Sequence, residues 1–318
     1  MELSFAPMEG VTYHAYRRIH ARLFPGAAEY YSPFIAPDGD GRFKTSGLRD
    51  VLPENNEGIR LIPQILCNRA GPFLAAAQQL ADLGYEEVNL NAGCPSGTVV
   101  GKHKGAGMLA DREGFDRCLE EIFSKCPIRV SVKSRLGLNS TGELPALLEI
   151  YRRYPLSKLI LHARDRLGMY KSKPDWDSFA LAMEGLPFPV AYNGNICTPA
   201  DLQRLTDRFP TLSHVMLGRG AAADPALFRR CCGGAPLTLT ELIVFHDELV
   251  EAYLSEGIAP PHVAARMKEL WFYLLCMFRD SDRQAKAIMK ARTLSDYQAA
   301  VQMLFSACPL DGSAGFNK

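Results

Sequence analysis

The 318-residue sequence has almost no excess of charge of either sign and no long apolar run. Its 36 Lys and Arg residues are balanced by 35 Asp and Glu residues, for a formal net charge of +1 at pH 7. A balance this close does not indicate binding to nucleic acid or to a membrane surface, so any basic binding surface must be local. Because no apolar stretch approaches the roughly 20 residues that cross a bilayer, we predict no membrane contact.

The cysteines lack the spacing of a metal site or of a disulfide framework. There are nine, an odd number, and no two of them form a Cys-x-x-Cys pair. We therefore expect neither a zinc site nor disulfides. The first residues are strand-like and lack the charged and apolar regions of a signal peptide, from which we expect a cytoplasmic protein.

Short apolar or β-branched runs recur eight times, and helix-like segments lie between them. The predicted strands are Leu3–Met8, Glu29–Phe34, Leu61–Leu66, Glu87–Asn91, Arg129–Arg135, Lys158–Arg164, Pro189–Gly194 and His214–Gly220. Eight βα units in about 230 residues predict an α/β fold, the TIM (β/α)8 barrel. A doubly wound sheet is the alternative, although it seldom has eight such even units.

After the eighth unit the pattern becomes purely helical. Gly233–Pro236 has the composition of a linker, and four amphipathic helices follow it. Capping boxes are predicted for three of them, at Thr238 with Glu241, Ser281 with Gln284, and Ser295 with Gln298. The sequence thus predicts a barrel domain over 1–234, a small helical bundle over 236–308 and a flexible tail over 309–318.

Polar residues collect at or just beyond the ends of the predicted strands, where TIM barrels carry their active sites. These residues are Pro7-Met8-Glu9-Gly10, Gln64, Asn91, Lys133, Arg135, His162, Arg164, Asn193-Gly194-Asn195 and Gly218-Arg219-Gly220. Burying such groups without partners costs several kcal/mol. A ligand rich in hydrogen-bonding groups is therefore indicated.

The last two strands lead into glycine-containing loops, at the place where TIM barrels frequently bind phosphate. Glycines 194, 218 and 220 would expose backbone N–H groups there, and Arg219 would supply a planar charged fork. The alternative is that both loops are merely tight turns.

Three side chains stand out as chemical candidates, each with a simpler structural alternative. Cys94 lies in a stiff Gly-Cys-Pro turn directly after a strand, but cysteines are often just packed in a core. Lys133 would point inward at the barrel mouth, where it could stabilise negative charge on a reduced flavin; the alternative is a solvated surface charge. His162 occupies the equivalent place one strand later, or it is a satisfied core histidine.

A local basic cluster lies in the helical part. Residues 264–292 have seven cationic and three acidic side chains, a local charge of +4. Arg283, Lys286 and Lys290 follow each other at i, i+3 and i+7, on one helix face. That face either is ordinary solvated surface or contacts a phosphate backbone.

Together these residues resemble the tRNA-dihydrouridine synthases, flavoenzymes with a TIM barrel followed by a helical RNA-binding domain. The resemblance covers nearly the whole chain. It begins at Ala6–Thr12 and extends to the helical bundle, and its most specific segments are Asn89–Pro95, Gly105-Ala106-Gly107, Val130–Gly137 and His162-Ala163-Arg164. Two positions depart from the commoner family pattern: Asp165 stands where Thr is frequent, and Asn195 where an acidic residue is often found.

The resemblance implies a role for each candidate. FMN would be bound by Pro7, Met8, Glu9, Gln64, Lys133, His162, Asn193, Gly194, Asn195, Gly218 and Arg219. Cys94 would be the catalytic acid, and Asn91, Arg164, Lys286 and Lys290 would bind the RNA substrate. NADPH would reduce FMN, the flavin N5 hydride would go to C6 of a uracil, and Cys94 would protonate C5. We expect a monomer whose partners are tRNA and NADPH.

Three alternatives remain at this point. The first is another FMN-barrel oxidoreductase, such as a dihydroorotate-dehydrogenase-like enzyme, acting on a free pyrimidine or enoate. The second is a dihydrouridine synthase that acts on ribosomal RNA. The third is a barrel without flavin that merely binds RNA. The sequence does not indicate which uridine would be modified.

Overall fold

The structure is a computed structural model, which describes residues 1–316. It contains nine strands, all paired in parallel. They are β1 Glu2–Phe5, β2 Glu29–Tyr31, β3 Leu61–Ile62, β4 Gln64–Ile65, β5 Glu87–Ala92, β6 Arg129–Gly137, β7 Leu159–Asp165, β8 Val190–Asn193 and β9 His214–Leu217. The order in the sheet is β3-β2-β1-β9-β8-β7-β6-β5-β4.

The two ends of this order are two halves of one extended segment. Pro63 separates β3 from β4 because proline has no N–H with which to continue a ladder. Its carbonyl nevertheless accepts the backbone N–H of Asn89 at 2.9 Å, and the N–H of Gln64 donates to the Ser32 hydroxyl at 3.0 Å. Leu61–Ile65 therefore acts as one barrel strand, and the nine assigned strands form the eight-stranded barrel that the sequence predicts.

The helices alternate with the strands and then follow one another. They are α1 His14–Leu23, α2 Thr45–Asp50, α3 Ala70–Asp82, α4 Gly97–Val100, α5 Arg112–Lys125, α6 Leu144–Tyr151, α7 Trp176–Gly185, α8 Pro199–Arg208, α9 Arg219–Ala223, α10 Leu227–Cys231, α11 Leu239–Ser255, α12 Pro260–Leu274, α13 Asp282–Lys290 and α14 Leu294–Ala307. Short 3-10 turns lie at Pro53–Asn55, Gly105–Ala110, Thr141–Glu143 and Leu275–Met277. No helix within residues 1–316 is long and apolar enough to cross a membrane.

The chain divides into two compact units. The first, the strand unit, comprises Met1–Pro7, Glu29–Gly194 and Pro210–Met216. Its interior is filled by apolar side chains from five of the barrel strands and from Ala6, which directly follows β1, so it is a packed core rather than a pore. These side chains are Ala6, Tyr31, Ile62, Ile160, Ala191 and Met216.

The second, the helical unit, comprises Met8–Ala28, Asn195–Phe209 and Leu217–Lys318. Its helices α11, α12 and α14 are tied by a buried polar chain. The Trp271 indole N–H donates to the Tyr297 hydroxyl at 2.6 Å, and the Tyr297 hydroxyl lies 2.7 Å from Nε2 of His246. The predicted domain limits at 234 and 236 do not coincide with the limits of these units. They stay a prediction about independently folding parts.

Two of the three predicted capping boxes are wrong. Thr238 and Glu241 do cap each other at the start of α11. The Ser281 hydroxyl instead donates to the Phe278 carbonyl at 3.2 Å, so it makes no cap for α13. At α14 the cap is Thr293, whose hydroxyl accepts the N–H of Asp296. Ser295 consequently lies inside the helix.

Several strands end earlier than predicted, among them β1 at Phe5 rather than Met8 and β2 at Tyr31 rather than Phe34, and the flexibility of residues 309–318 stays a prediction. The eighth strand ends at Leu217 rather than Gly220, because Arg219 already begins α9. The described part of the predicted flexible tail, residues 309–316, makes regular contacts within the helical unit. Leu310 bridges to Phe278 in antiparallel fashion, Asp311 pairs with Arg279 at 2.6 Å, and Phe316 is buried. Residues 317 and 318 lie outside the described part.

Candidate active site

A chain of buried amides connects three neighbouring strands of the barrel. The Gln64 Nε2 group donates to Asn89 Oδ1 at 2.7 Å, and Asn91 Nδ2 donates to Gln64 Oε1 at 2.7 Å. Asn89 Nδ2 in turn donates to the Ser131 hydroxyl at 3.0 Å. Asn89 was not among the predicted site residues, although its spacing of two residues from Asn91 places both side chains on the same face of β5.

Asn91 also holds the turn that carries Cys94. Its Oδ1 accepts the backbone N–H of Gly93 at 3.1 Å and that of Cys94 at 2.9 Å. From the other side, Nε of Arg135 donates to the Gly93 carbonyl at 2.9 Å. The thiol is thus placed by two buried side chains, and Arg135, which was noted at a strand end without a role, is one of them.

The Gly105–Ala110 turn packs directly on Cys94. The Cys94 carbonyl accepts the N–H of Ala106 at 3.1 Å. A Cβ at Gly105 would come within 2.9 Å of the Cβ and carbonyl oxygen of Cys94, and Gly105 has φ +56°. Only glycine combines that backbone conformation with such a close approach. This explains why a glycine stands at position 105.

Lys133 is the cation nearest in register to this turn. It pairs with Asn91 in the β5–β6 ladder, and it is half-buried. Burial, assisted by the positive charge of Arg135, lowers the pKa of Lys133 to about 7, while Cys94 acts in the opposite direction. Its ammonium group has no hydrogen bond or ion pair to another described residue. It is therefore a cation that a ligand could engage.

The next strands bring up a second polar row. Arg135 pairs with His162 in the β6–β7 ladder, and His162 pairs with Asn193 in the β7–β8 ladder. The ladder shifts between Arg135 and Gly137, as at a β-bulge, a feature that often re-aims side chains beside active sites. Asn193 donates through Nδ2 to the Met216 carbonyl at 2.9 Å, which ties β8 to β9.

His162 and Arg164 interact with each other. Nη1 of Arg164 lies 3.2 Å from Nε2 of His162, and Nε of Arg164 donates to the Ser172 carbonyl at 2.6 Å. Because a guanidinium can only donate, Nε2 of His162 must accept, which leaves Nδ1 to carry the proton. Arg164 is buried, so the structure gives it a positioning contact, and its RNA contact stays a prediction.

Pro7 and Gly194 are the remaining cofactor candidates of the strand unit. Pro7, at the end of the first segment, is half-buried. A Cβ at Gly194 would lie 2.1 Å from the Tyr192 hydroxyl, which also accepts the Trp176 indole N–H at 3.1 Å. Glycine at position 194 therefore makes room for the Tyr192 hydroxyl.

In the helical unit, Met8–Thr12 forms a closed turn. The backbone N–H of Met8 donates to the Thr12 hydroxyl at 2.9 Å, and the Met8 carbonyl accepts the N–H groups of Val11 and Thr12. Gly10 has φ +82°. The exposed Glu9 accepts the Tyr13 hydroxyl at 3.0 Å, so its role toward a cofactor stays a prediction.

In the helical unit, Arg219 and Asn195 are hydrogen-bonded to each other; both lie in the loops that are predicted to bind phosphate. Nη2 of Arg219, which follows Gly218 at the start of α9, donates to Asn195 Oδ1 at 2.8 Å. The carboxamide of Asn195 thus accepts from Arg219 and adds no negative charge. An acidic residue at this position would repel an anion, whereas the neutral asparagine does not.

The cations of residues 264–292 fall into two groups. Some contact other residues of the protein, and the others are exposed. Lys268 donates to the Ala291 carbonyl at 2.7 Å, and Arg266 lies over the rings of Tyr13 and Tyr253. Arg279 pairs with Asp311. The other cations are exposed and have no ion-pair partner in residues 1–316, and we call them the α13 basic surface: Arg283, Lys286, Lys290 and Arg292.

Residues 1–316 contain no group of three or more His, Cys, Asp or Glu side chains that could hold a metal ion. The chain is similar in fold to two solved structures. The old yellow enzyme homologue from Zymomonas mobilis matches with a TM-score of 0.51 and 12% identity, over 74% of this chain and 90% of that one. A mutant of morphinone reductase in complex with tetrahydroNAD matches with a TM-score of 0.52 and 14% identity, over 74% of this chain and 87% of that one.

Sequence relatives identify the family of the chain more specifically than the similarity in fold does. A probable tRNA-dihydrouridine synthase from Rhodobacter capsulatus is 30% identical over 262 residues, which cover 79% of each chain. The tRNA-dihydrouridine synthase B of Pseudomonas syringae is 27% identical over 82% of this chain and 76% of its own. The family model described as dihydrouridine synthase (Dus) matches residues 4–239. The chain therefore belongs to the dihydrouridine synthase family.

Proposed function

We propose that this protein reduces a uridine of tRNA to 5,6-dihydrouridine, with FMN as its cofactor, NADPH as the reductant and Cys94 as the acid. Family membership supports the reaction class, and the names of the relatives support tRNA as the substrate. The observation that carries the proposal is the Cys94 turn, held by Asn91 and Arg135 beside the ammonium group of Lys133.

The strand unit fits a flavin in its chemistry. Lys133 offers a half-buried ammonium group with no hydrogen bond or ion pair to the described residues, suited to the pyrimidine edge on which negative charge accumulates. Gln64 would be fixed for recognition of that edge, since both ends of its carboxamide are already bonded to asparagines. When bound, reduced FMN would supply the hydride that goes to C6 of the uracil.

Cys94 would supply the proton that C5 needs. A general acid must carry its proton, and an ordinary thiol does so at neutral pH. The double support of its turn would keep the thiol at one position, and positioning of this kind is a large part of catalysis. The buried Asn91 would act through that turn, in addition to the contact with the target base that the resemblance implies.

The RNA would be bound largely through its backbone. A uracil in a paired RNA must leave its stack to react, at a cost of a few kcal/mol. The four exposed cations of the α13 basic surface could offset this cost by contacting phosphates. Near-zero total charge makes such a local surface more significant, because the rest of the molecule adds no general attraction for RNA.

The decisive experiment compares RNA from cells with and without this protein. Mapping dihydrouridine should reveal one or more tRNA positions that lose the modification and regain it when the gene is restored. Loss in ribosomal RNA instead would identify a different RNA substrate. The purified protein should also be yellow; a colourless protein that binds RNA, or activity on free uracil, would contradict the proposal.

A further inference from the structure

Residues 166–172 follow directly on β7 in the strand unit, and we call them the β7 loop. Several hydrogen bonds fix the shape of this loop. The Asp165 carboxylate accepts the N–H of Gly168 at 2.6 Å, and the Gly168 carbonyl accepts the N–H of Ser172 at 3.3 Å. At the far end, Nε of Arg164 donates to the Ser172 carbonyl at 2.6 Å. The loop therefore has a defined conformation although most of its residues are exposed.

Arg135 joins the β7 loop to the turn that carries Cys94. Its Nη1 donates to the carbonyls of Asp165 at 2.8 Å and Met169 at 3.2 Å. Its Nε donates to the Gly93 carbonyl at 2.9 Å, in the turn itself. A single guanidinium group thus lies between the backbone of the loop and the backbone of the turn. The loop is consequently placed beside the residue that carries the thiol.

The β7 loop exposes two large apolar side chains. Leu167 is 58% exposed and Met169 is 42% exposed. Met169 also has φ +44°, in the left-handed region that glycine adopts more easily than any residue with a side chain. Residues held in such a conformation cluster at functional sites, where the strain is part of the function. The backbone therefore favours glycine at position 169, and the methionine indicates that its side chain is used.

Exposed cations lie close to these apolar side chains in the sequence. Lys171 and Lys173 are exposed, and neither forms an ion pair within the part of the chain that the structure describes. Apolar side chains beside cations fit structured RNA, because lysines contact the phosphates while leucine or methionine can enter between two bases. A protein partner with a matching apolar site would not require the lysines, so the combination favours RNA.

We propose that Leu167 and Met169 form an apolar wedge, which enters the base stack of the RNA where the extruded uracil leaves it. The inference rests on the proposed function, since it needs an RNA substrate, but it goes beyond it by assigning the β7 loop to base extrusion. Through Arg135 the wedge stands beside the Cys94 turn, where the extruded base has to arrive. Because the loop is already fixed, little conformational entropy is lost when the wedge enters the stack.

The test compares two RNA probes on the full chain. One is the folded tRNA transcript identified by mapping, with fluorescent 2-aminopurine next to the target uridine; the other is a short single-stranded fragment of it with the same uridine. Turnover on both and the change in fluorescence on binding are measured for wild type, Leu167→Ala and Leu167→Met. Methionine keeps an apolar wedge, whereas alanine removes most of it. Leu181→Ala is the matched control, because Leu181 lies on α7 of the same unit and is 51% exposed.

Leu167→Ala should lower turnover on the folded tRNA about tenfold, the equivalent of part of one leucine side chain losing its apolar contact. Turnover on the single-stranded fragment should stay unchanged, because its uracil does not have to leave a helix. The increase in 2-aminopurine fluorescence should be smaller than with wild type, whereas Leu167→Met and Leu181→Ala should behave as wild type. Met169→Gly should lower turnover on the folded tRNA without loss of stability in urea, because glycine adopts φ +44° without strain.

Equal losses on both RNAs, or wild-type turnover of Leu167→Ala on the folded tRNA, would overturn the wedge and leave the proposed function intact. A change in the oligomeric state of Leu167→Ala would make these side chains an interface between two copies, and would also overturn the wedge. If the wild-type protein reduces uridine in neither RNA, the proposed function itself fails, and the inference fails with it.

Discussion

The side chain of Asn91 accepts the backbone N–H of Cys94 at 2.9 Å while its own amide group donates to Gln64 at 2.7 Å. One buried asparagine therefore links the turn that carries the thiol to the amide chain across the barrel. A residue expected to contact substrate is in this way also the support of the turn that carries Cys94. The first prediction concerns this double role.

Asn91→Ala should lower the turnover of uridine about 100-fold while FMN remains bound, because the Cys94 turn loses its acceptor and a displacement of about 1 Å is enough for such a loss. Turnover is measured as dihydrouridine formed per bound flavin. Asn89→Ala is the matched control, since it breaks the same amide chain but leaves the acceptor of Cys94 in place. Equal losses in both variants would mean that the chain as a whole, rather than the turn, matters.

Cys94→Ala should reduce turnover about 10²- to 10⁴-fold, the usual contribution of a general acid, with FMN content and RNA affinity unchanged. Cys118→Ala should be nearly silent in the same assay. Burial raises the pKa of the Cys118 thiol to about 12, so that group is inert as an acid at neutral pH. Wild-type turnover in Cys94→Ala would remove the thiol from the mechanism.

Lys133→Met should shift the midpoint potential of the bound flavin to more negative values by about 20–40 mV, the equivalent of losing about 1–2 kcal/mol of attraction for the reduced form. The midpoint potential should be measured at pH 6. The pKa of Lys133 is lowered to about 7, so its charge is present below that pH in the free protein and decreases above it. Lys133→Arg keeps the charge and serves as the control; an unchanged potential in Lys133→Met would place the ammonium group away from the flavin.

Local sequence features predicted the barrel and its cysteine loop well. Alternation in Glu87–Asn91 predicts a strand, and Gly93 and Pro95 predict the turn after it, because both signals involve neighbours in the chain. The same logic found the capping box at Thr238. It failed at Ser295, where Thr293 competes for the same role two residues earlier and makes the cap instead.

What the sequence could not predict depends on register between distant strands. The bond of Arg135 to the Gly93 carbonyl and that of Gln64 to Asn91 join residues 42 and 27 positions apart. No local pattern specifies such pairs. The residues of the contact between Phe316 and Arg219 lie still further apart in the sequence. The small residues 312–315 give no local signal that Arg230 will donate to the Ser313 carbonyl.

Reversing charge on the α13 basic surface should weaken RNA binding and its dependence on salt. For Lys286→Glu with Lys290→Glu, the slope of log K against log salt concentration should become shallower by about two, one for each phosphate that a lysine no longer neutralises. Lys44→Glu with Lys125→Glu changes the net charge equally at exposed positions of the strand unit and should leave the slope near that of wild type. An unchanged slope in the Lys286 and Lys290 variant would exclude this surface as the RNA contact.

His20 makes stability depend on pH in the helical unit. It is fully buried, and its Nε2 lies 3.0 Å from the Pro225 carbonyl, to which it must donate. Burial lowers its pKa to about 3, below the ordinary value of 6.5. Between these values the unfolded chain binds a proton that the folded chain does not. Its contribution to stability is therefore complete above pH 6.5 and decreases as the pH falls, by about 1.4 kcal/mol per unit.

His20→Gln should keep a donor to Pro225 and lower the overall stability. It should also reduce the slope of the unfolding free energy against pH, between pH 6.5 and 5, by the contribution of one proton. Urea unfolding in matched buffers measures it. Buried His246, whose pKa burial also lowers, stays in both proteins, so its contribution cancels in the difference. The exposed His103, replaced by glutamine, is the control and should leave the slope unchanged. If His20→Gln lost stability equally at every pH, the histidine would have to bind its proton equally in the folded and the unfolded protein, and below pH 6.5 its bond to the Pro225 carbonyl would be that of a buried cation.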